Sequence, residues 1–217
     1  MSGLCLQAVT LRLGDAVLIE ALSLDIEPAG VVTLMGESGV GKSTLLAYIC
    51  GTLEPVFQAS GRIWVDGREI TGLPPERRRV GILFQDDLLF PHLSVGDNLA
   101  FGLAPEIRGG ERRARIAAAL GEAGLAGFED RDPATLSGGQ RARVALMRTL
   151  LAEPRVLLLD EPFSKLDTAT RARFRAFVFE HAREREIPTL MVTHDPDDAR
   201  ATGDRVVELT PQAPTPD

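Results

Sequence analysis

Gly36-Glu37-Ser38-Gly39-Val40-Gly41-Lys42-Ser43 is a glycine-punctuated octapeptide ending in lysine and a hydroxyl, with Thr44 next. Its glycines let the backbone curl until several N–H groups converge on phosphate oxygens. The apolar run 31–35 before it reads as a strand buried on both faces, and 43–51 after it reads as a helix closed by Gly51. The helix start adds positive partial charge at the same point. In that setting Lys42 is expected to reach β- and γ-phosphates, Ser43 to ligate Mg²⁺, and Thr44 to touch the α-phosphate side.

A second apolar run, 156–159, ends in Asp160 and Glu161. At the carboxyl end of a strand Asp160 can hold Mg²⁺, directly or through water. Glu161 follows and points to the other side of the strand, where it can orient or deprotonate an attacking water. Two acids after a strand also occur as a plain solvated edge; beside a phosphate loop the catalytic reading is the stronger one.

Leu136-Ser137-Gly138-Gly139-Gln140 opens the helical pattern that runs to residue 151. Ser137 can cap that helix, and Gly138 and Gly139 leave backbone N–H groups accessible. This is a second anion-binding helix start in one chain. A domain that binds one nucleotide has no obvious use for two. The economical arrangement is a two-fold pair in which each copy lends this loop to the nucleotide of the other.

With these motifs in place, the chain resembles the ATP-binding subunits of ABC transporters from about residue 6 to residue 209. Gln85, within Ile82-Leu83-Phe84-Gln85-Asp86, matches the glutamine of the family's Q-loop. Asp167, in Ser164-Lys165-Leu166-Asp167, matches its D-loop acid, and His194, in Val192-Thr193-His194-Asp195, its switch histidine. The resemblance implies that Gln85 contacts Mg²⁺ or the lytic water, and that His194 hydrogen-bonds the γ-phosphate and steadies Glu161. It places Asp167 at the subunit interface. It also implies an ATPase working as a homodimer on ATP binding. Two positions depart from the pattern. Leu13 stands where relatives carry an aromatic residue that stacks on adenine, so weaker base discrimination is expected. Lys165 replaces a small residue and is assigned no role.

Leu88, Leu89 and Phe90 follow Gln85 directly, and apolar residues beside a nucleotide sensor suggest a docking groove for a partner helix. This run and residues 74–78 resemble importer-type subunits. That resemblance implies integral-membrane permease subunits as partners, an extracytoplasmic solute-binding protein acting indirectly, and a peripheral position on the cytoplasmic face of the inner membrane. A membrane-docked envelope-remodelling ATPase is the alternative reading.

The elements that hold these residues alternate. Strands are expected over 5–13, 17–26, 31–35, 62–65, 80–84, 156–159, 189–192 and 205–209. Helices are expected over 43–51, 112–123, 138–151 and 168–185. The fold class is therefore α/β: a P-loop NTPase core with a mainly parallel sheet, an antiparallel N-terminal portion and a helical insert. One ATPase domain spans 1–217, with core segments at about 1–93 and 153–210, the insert at about 94–152, and a frayed tail at 211–217. A net charge of −7 disfavours non-specific nucleic-acid binding. The two cysteines, Cys5 and Cys50, show no metal or disulfide spacing. No signal peptide, membrane span or C-terminal regulatory domain is expected.

Overall fold

A computed structural model describes residues 3–202 and 205–210; the tail expected at 211–217 lies outside them. Among the described residues, the first half carries β1 (Leu4–Leu13), β2 (Ala16–Ile26), β3 (Val31–Met35), α1 (Lys42–Cys50), β4 (Phe57–Val65), β5 (Arg68–Glu69), α2 (Pro75–Arg78) and β6 (Val80–Leu83). Three helices follow: α3 (Val95–Gly102), α4 (Gly109–Glu122) and, after a 3-10 turn at Pro133–Thr135, α5 (Gly138–Leu151). The chain continues through β7 (Val156–Asp160), α6 (Thr168–Glu184), β8 (Thr189–Thr193), α7 (Pro196–Thr202) and β9 (Arg205–Glu208).

The strands form an antiparallel sheet ordered β2-β1-β4-β5 and a second sheet ordered β6-β7-β8-β3-β9. In the second, β3 pairs in parallel with both β8 and β9, and β7 pairs in parallel with β8. This is the expected α/β class, a mainly parallel sheet plus an antiparallel portion at the N-terminus. β3 and β7 are buried at four of five positions and β8 at all five. That is why their sequences read as mainly apolar stretches with buried threonines rather than as alternations.

The chain divides into two compact units. One holds residues up to 82, with 155–161 and 179 onward; the other holds 83–154 and 162–178. In the first unit a single core joins Leu4, Leu6 and Leu11 of β1 to Leu45 and Ile49 of α1 and to Leu34, Leu158 and Leu190 of the parallel strands. Each such side chain contributes about 1.5–3 kcal/mol on burial, so packing rather than propensity holds these five-residue strands. The end of α1 is closed twice. Gly51 takes a left-handed φ of 80°, and the buried guanidinium of Arg78 donates to the carbonyls of Tyr48 (2.8 Å) and Ile49 (3.0 Å). Arg78 also donates to the carbonyls of Thr71 (2.6 Å) and Leu73 (2.7 Å).

In the second unit α3, α4 and α5 bury Val95, Leu99, Ile116, Leu120, Val144 and Leu150. Ser94 caps α3 by accepting from the Asp97 N–H at 3.0 Å. Arg143 reaches from α5 to the Ala123 carbonyl at the end of α4 at 2.7 Å.

Several elements differ from expectation. β4 starts at Phe57 instead of residue 62, because its first residues pair with the end of β1: Leu13 lies opposite Phe57 and Arg12 opposite Gln58. α3 and α7 are not foreseen from the sequence; at eight and seven residues each is about two turns, too short for a clear apolar period. α2 and β5 are shorter still.

Candidate active site

The carboxyl ends of β3, β7 and β8 place the catalytic candidates of the first unit. After β3 the chain curls through the phosphate loop into α1. Gly41 sits at the helix start with φ 97°, a conformation that an L side chain strains to adopt. A Cβ there would also lie 3.1 Å from Leu18 and 3.3 Å from Ile19 of β2, so the loop is seated closely on the antiparallel sheet. Lys42 is buried, and its Nζ donates to the carbonyls of Gly36 (2.7 Å) and Glu37 (2.8 Å). The ammonium is thereby held over the loop. The first turn of α1 has no acidic residue, so its positive end remains uncompensated for an anion. Glu37, Ser38 and Gly39 are exposed, whereas Val40 is buried under the turn.

Across from the loop, the Ser43 hydroxyl donates to Asp160 Oδ1 at 3.3 Å. Burial pushes the Asp160 carboxyl above its usual range, and the charge of Glu161 adds to this, while the Ser43 hydrogen bond and Lys42 pull it down. A hydroxyl beside a desolvated carboxylate is an oxygen donor pair that suits a hard cation such as Mg²⁺, which takes few protein ligands and keeps water or phosphate in its remaining positions. The donor set therefore fits that ion.

Glu161 leaves the end of β7 with φ 47°. Its N–H donates to the Val192 carbonyl of β8 at 3.0 Å, which anchors the backbone where the strand ends. His194 stands two residues beyond Val192, and its Nδ1 lies 2.8 Å from Glu161 Oε1. The carboxylate is mostly covered, with 22% of its side chain exposed, while the imidazole is 60% exposed. The structure therefore sets the Ser43 hydroxyl against Asp160, with Lys42 near enough to act on that carboxyl, and pairs Glu161 with His194.

Leu13, at the end of β1, is 42% exposed. It is tied to the loop through its own sheet: two residues earlier, Leu11 pairs with Ile19, which touches the Gly41 position. Sequence reasoning missed Phe57. This half-buried aromatic lies directly opposite Leu13 on β4, so both side chains stand on the same face of the sheet.

The second unit carries the other candidates. Gln85 is exposed in the loop after β6. Lys165, which had no role in the sequence, forms an ion pair with Asp86 beside it. Ser137 caps α5 in a reciprocal box: its N–H donates to Gln140 Oε1 at 2.9 Å, and its Oγ accepts from the Gln140 N–H at 3.3 Å. Leu136 is buried, and its carbonyl accepts from Arg141 at 2.8 Å. A Cβ at Gly139 would fall 2.5 Å from Thr170 Cγ2, which explains the second glycine sterically, whereas the Cβ position of Gly138 meets only Leu166 at 3.8 Å. Thr170 in turn donates its N–H to Asp167 Oδ1 at 3.1 Å, which caps α6. Hydrogen bonds from Thr170 hold the Asp167 carboxyl below its usual range. Beside this cluster lies a cavity of about 230 Å³ lined by Ser137, Thr170, Arg143 and Arg173 among others. Burial, and then repulsion from Arg173, push the Arg143 guanidinium below its ordinary value.

The loop after Gln85 is built to present apolar groups. Asn98 accepts from the Phe90 N–H at 2.8 Å and donates to the Phe90, Leu93 and Ser94 carbonyls. Arg148 donates to the Leu88 and Asp87 carbonyls. With the backbone so pinned, Leu88 is 54% and Phe101 68% exposed, and Phe101 packs on Phe90 with centroids 4.7 Å apart. No helix among the described residues is long and apolar enough to cross a membrane.

Residues 19–164 match the family model described as ABC transporter. The chain is 48% identical over 198 residues to the uncharacterized ABC transporter ATP-binding protein YnjD of Escherichia coli, covering 91% of each chain. It is 49% identical over 177 residues to the thiamine import ATP-binding protein ThiQ of Cereibacter sphaeroides, covering 81% of this chain and 75% of that one. Iron- and sulfate-import relatives are longer, and the chain spans 54–62% of their length. Among solved structures, the dimeric post-hydrolysis state of the cassette MJ0796 bound to ADP and Pi superposes with a TM-score of 0.78 at 30% identity, covering 97% of both chains. The chain belongs to the ABC transporter family, as one of its ATP-binding cassettes.

Proposed function

We propose that the chain hydrolyses ATP as a head-to-tail homodimer and drives solute import through separate permease subunits on the cytoplasmic face of the cell membrane, with an extracytoplasmic solute-binding protein upstream. The carrying observation is that one chain holds a phosphate loop with a carboxylate–histidine pair and also a second, glycine-opened helix start at Ser137. The import-protein relatives support the direction of transport, and the dimeric cassette supports the pairing.

In this reading the loop N–H groups from Gly36 to Thr44 and the Lys42 ammonium bind the triphosphate. Ser43 and Asp160 would hold Mg²⁺, which would spread the charge of the transferred phosphoryl group when bound. Glu161 accepts the proton of the attacking water, and His194 fixes the carboxylate and hydrogen-bonds the γ-phosphate. Leu13 and Phe57 together offer the base an apolar face, in which Phe57 supplies the ring that Leu13 lacks. Leu136 to Gln140 close on the nucleotide of the other copy, the two arginines beside Ser137 favour that anion, and Asp167 lies at the shared interface. Leu88, Phe90 and Phe101 receive a permease helix.

The test is turnover by the purified full chain. Wild type hydrolyses ATP with Mg²⁺, and Lys42→Ala and Glu161→Gln do not. Equal turnover by wild type and Glu161→Gln would remove Glu161 from the chemistry.

A further inference from the structure

A second basic cavity lies in the first unit, lined by none of the candidate active-site residues. It has a volume of about 290 Å³ and is lined by arginines 68, 77, 78, 79 and 155 against one carboxylate, Asp66. In a chain of net charge −7 this lining still holds more arginines than carboxylates, and like charges so gathered repel one another unless an anion joins them. Glu69 and Glu76, the acids nearest in sequence, do not line it.

The fold builds this site from three elements. Arg68 follows the turn between β4 and β5, Arg77 lies in α2, and Arg155 precedes β7. The Arg155 N–H donates to the Arg79 carbonyl at 2.8 Å, which draws the start of β7 against the exit of α2. Asp66 is already engaged: Oδ1 accepts from the Gly3 N–H at 3.0 Å, and Oδ2 lies 3.6 Å from Arg155. Arg78 is consumed by its four backbone carbonyls. Arg68 and Arg77 form no ion pair among the described residues. Val65 and Ile70, both buried, give the cavity an apolar floor.

We propose that this cavity is a second phosphate-ester site, distinct from the nucleotide site. Arginine forks at 68, 77 and 155 take the phosphate oxygens, because the planar guanidinium matches them two at a time. The Val65–Ile70 floor takes a short carbon moiety. The volume is at the small end for ligand pockets, which suits a three-carbon ester or a lipid headgroup better than a nucleotide. The two sites are separate: Arg155 and Asp160 stand at opposite ends of β7, roughly 17 Å apart along the strand.

Two probes distinguish the sources of such a group: glycerol 3-phosphate in solution, and phosphatidylglycerol vesicles with phosphatidylcholine vesicles as control. Both are titrated against the full chain, once as Lys42→Ala and once as wild type saturated with a non-hydrolysable ATP analogue and Mg²⁺, so that the phosphate loop does not contribute. Binding of at least one probe is expected, weakened by more than about tenfold in Arg68→Glu/Arg77→Glu, as the loss of two charge-assisted contacts implies. Both residues are exposed, and circular dichroism checks that the variant is folded. Binding of the soluble ester identifies a free metabolite; binding of vesicles alone identifies a membrane headgroup. Absence of binding by either probe, or equal binding by variant and parent, overturns the proposal.

Discussion

Glu161 and His194 meet at 2.8 Å, and the cost of changing either follows from that contact. Glu161→Gln keeps the shape and removes the base, so steady-state ATP turnover should fall by about 10²–10⁴. His194→Ala should cost roughly 10², because the carboxylate remains but loses the group that orients it. Phe57→Ala should raise the KM for ATP by several-fold with little change in kcat, since stacking on the base is the same before and during the reaction. An unchanged KM would remove Phe57 from the site. The thiols give a pH prediction. Burial pushes both Cys5 and Cys50 up to about 11, with Asp25 adding to the shift at Cys5 and Arg78 opposing it at Cys50. At pH 8 their thiolate fractions, and so their alkylation rates in the folded protein, should be on the order of a hundredfold below those of a free cysteine. Because their folded values lie above the unfolded ones, they favour the fold at neutral pH. That contribution is lost as pH rises from about 8.5, the ordinary thiol value, toward about 11. Urea midpoints measured across this window should fall, and should fall less in Cys50→Ala.

At the scale of elements, Arg78→Ala should destabilise the first unit by on the order of 3 kcal/mol, because it removes a hydrogen bond from each of the Tyr48, Ile49, Thr71 and Leu73 carbonyls, of which Tyr48 keeps the Gly51 N–H. Denaturant unfolding measures this directly. Asp167→Ala should lower the midpoint at neutral pH by removing the cap of α6. The folded value of this carboxyl is depressed, so the difference between wild type and variant should vanish as pH falls through it. How far such elements could be read from sequence depended on how local their causes are. α5 was readable to the residue because Ser137, Gln140 and the apolar period lie within it. So was β3, whose burial on both faces is written as an apolar run. The start of β4 was not readable, since only pairing with β1 makes 57–61 a strand. The same distinction holds for the site. Lys42, Ser43, Asp160, Glu161 and His194 sit in local motifs; Phe57, the Lys165–Asp86 pair and the arginine cavity depend on segments far apart in the chain.

For the whole molecule, each copy offers a phosphate loop in one unit and a glycine-opened helix start in the other. Neither motif needs a different partner if two copies pair head to tail. Exposed Leu88 and Phe101 should be dispensable for ATP turnover by the isolated protein, yet Leu88→Glu/Phe101→Glu should abolish co-purification with a permease. The most direct measurement is sedimentation of the Glu161→Gln protein with Mg²⁺ and saturating ATP, alone and combined with Ser137→Arg. A nucleotide-dependent dimer that the added Ser137→Arg dissolves is the predicted result. A monomer at every ATP concentration, or a dimer indifferent to residue 137, would contradict head-to-tail closure.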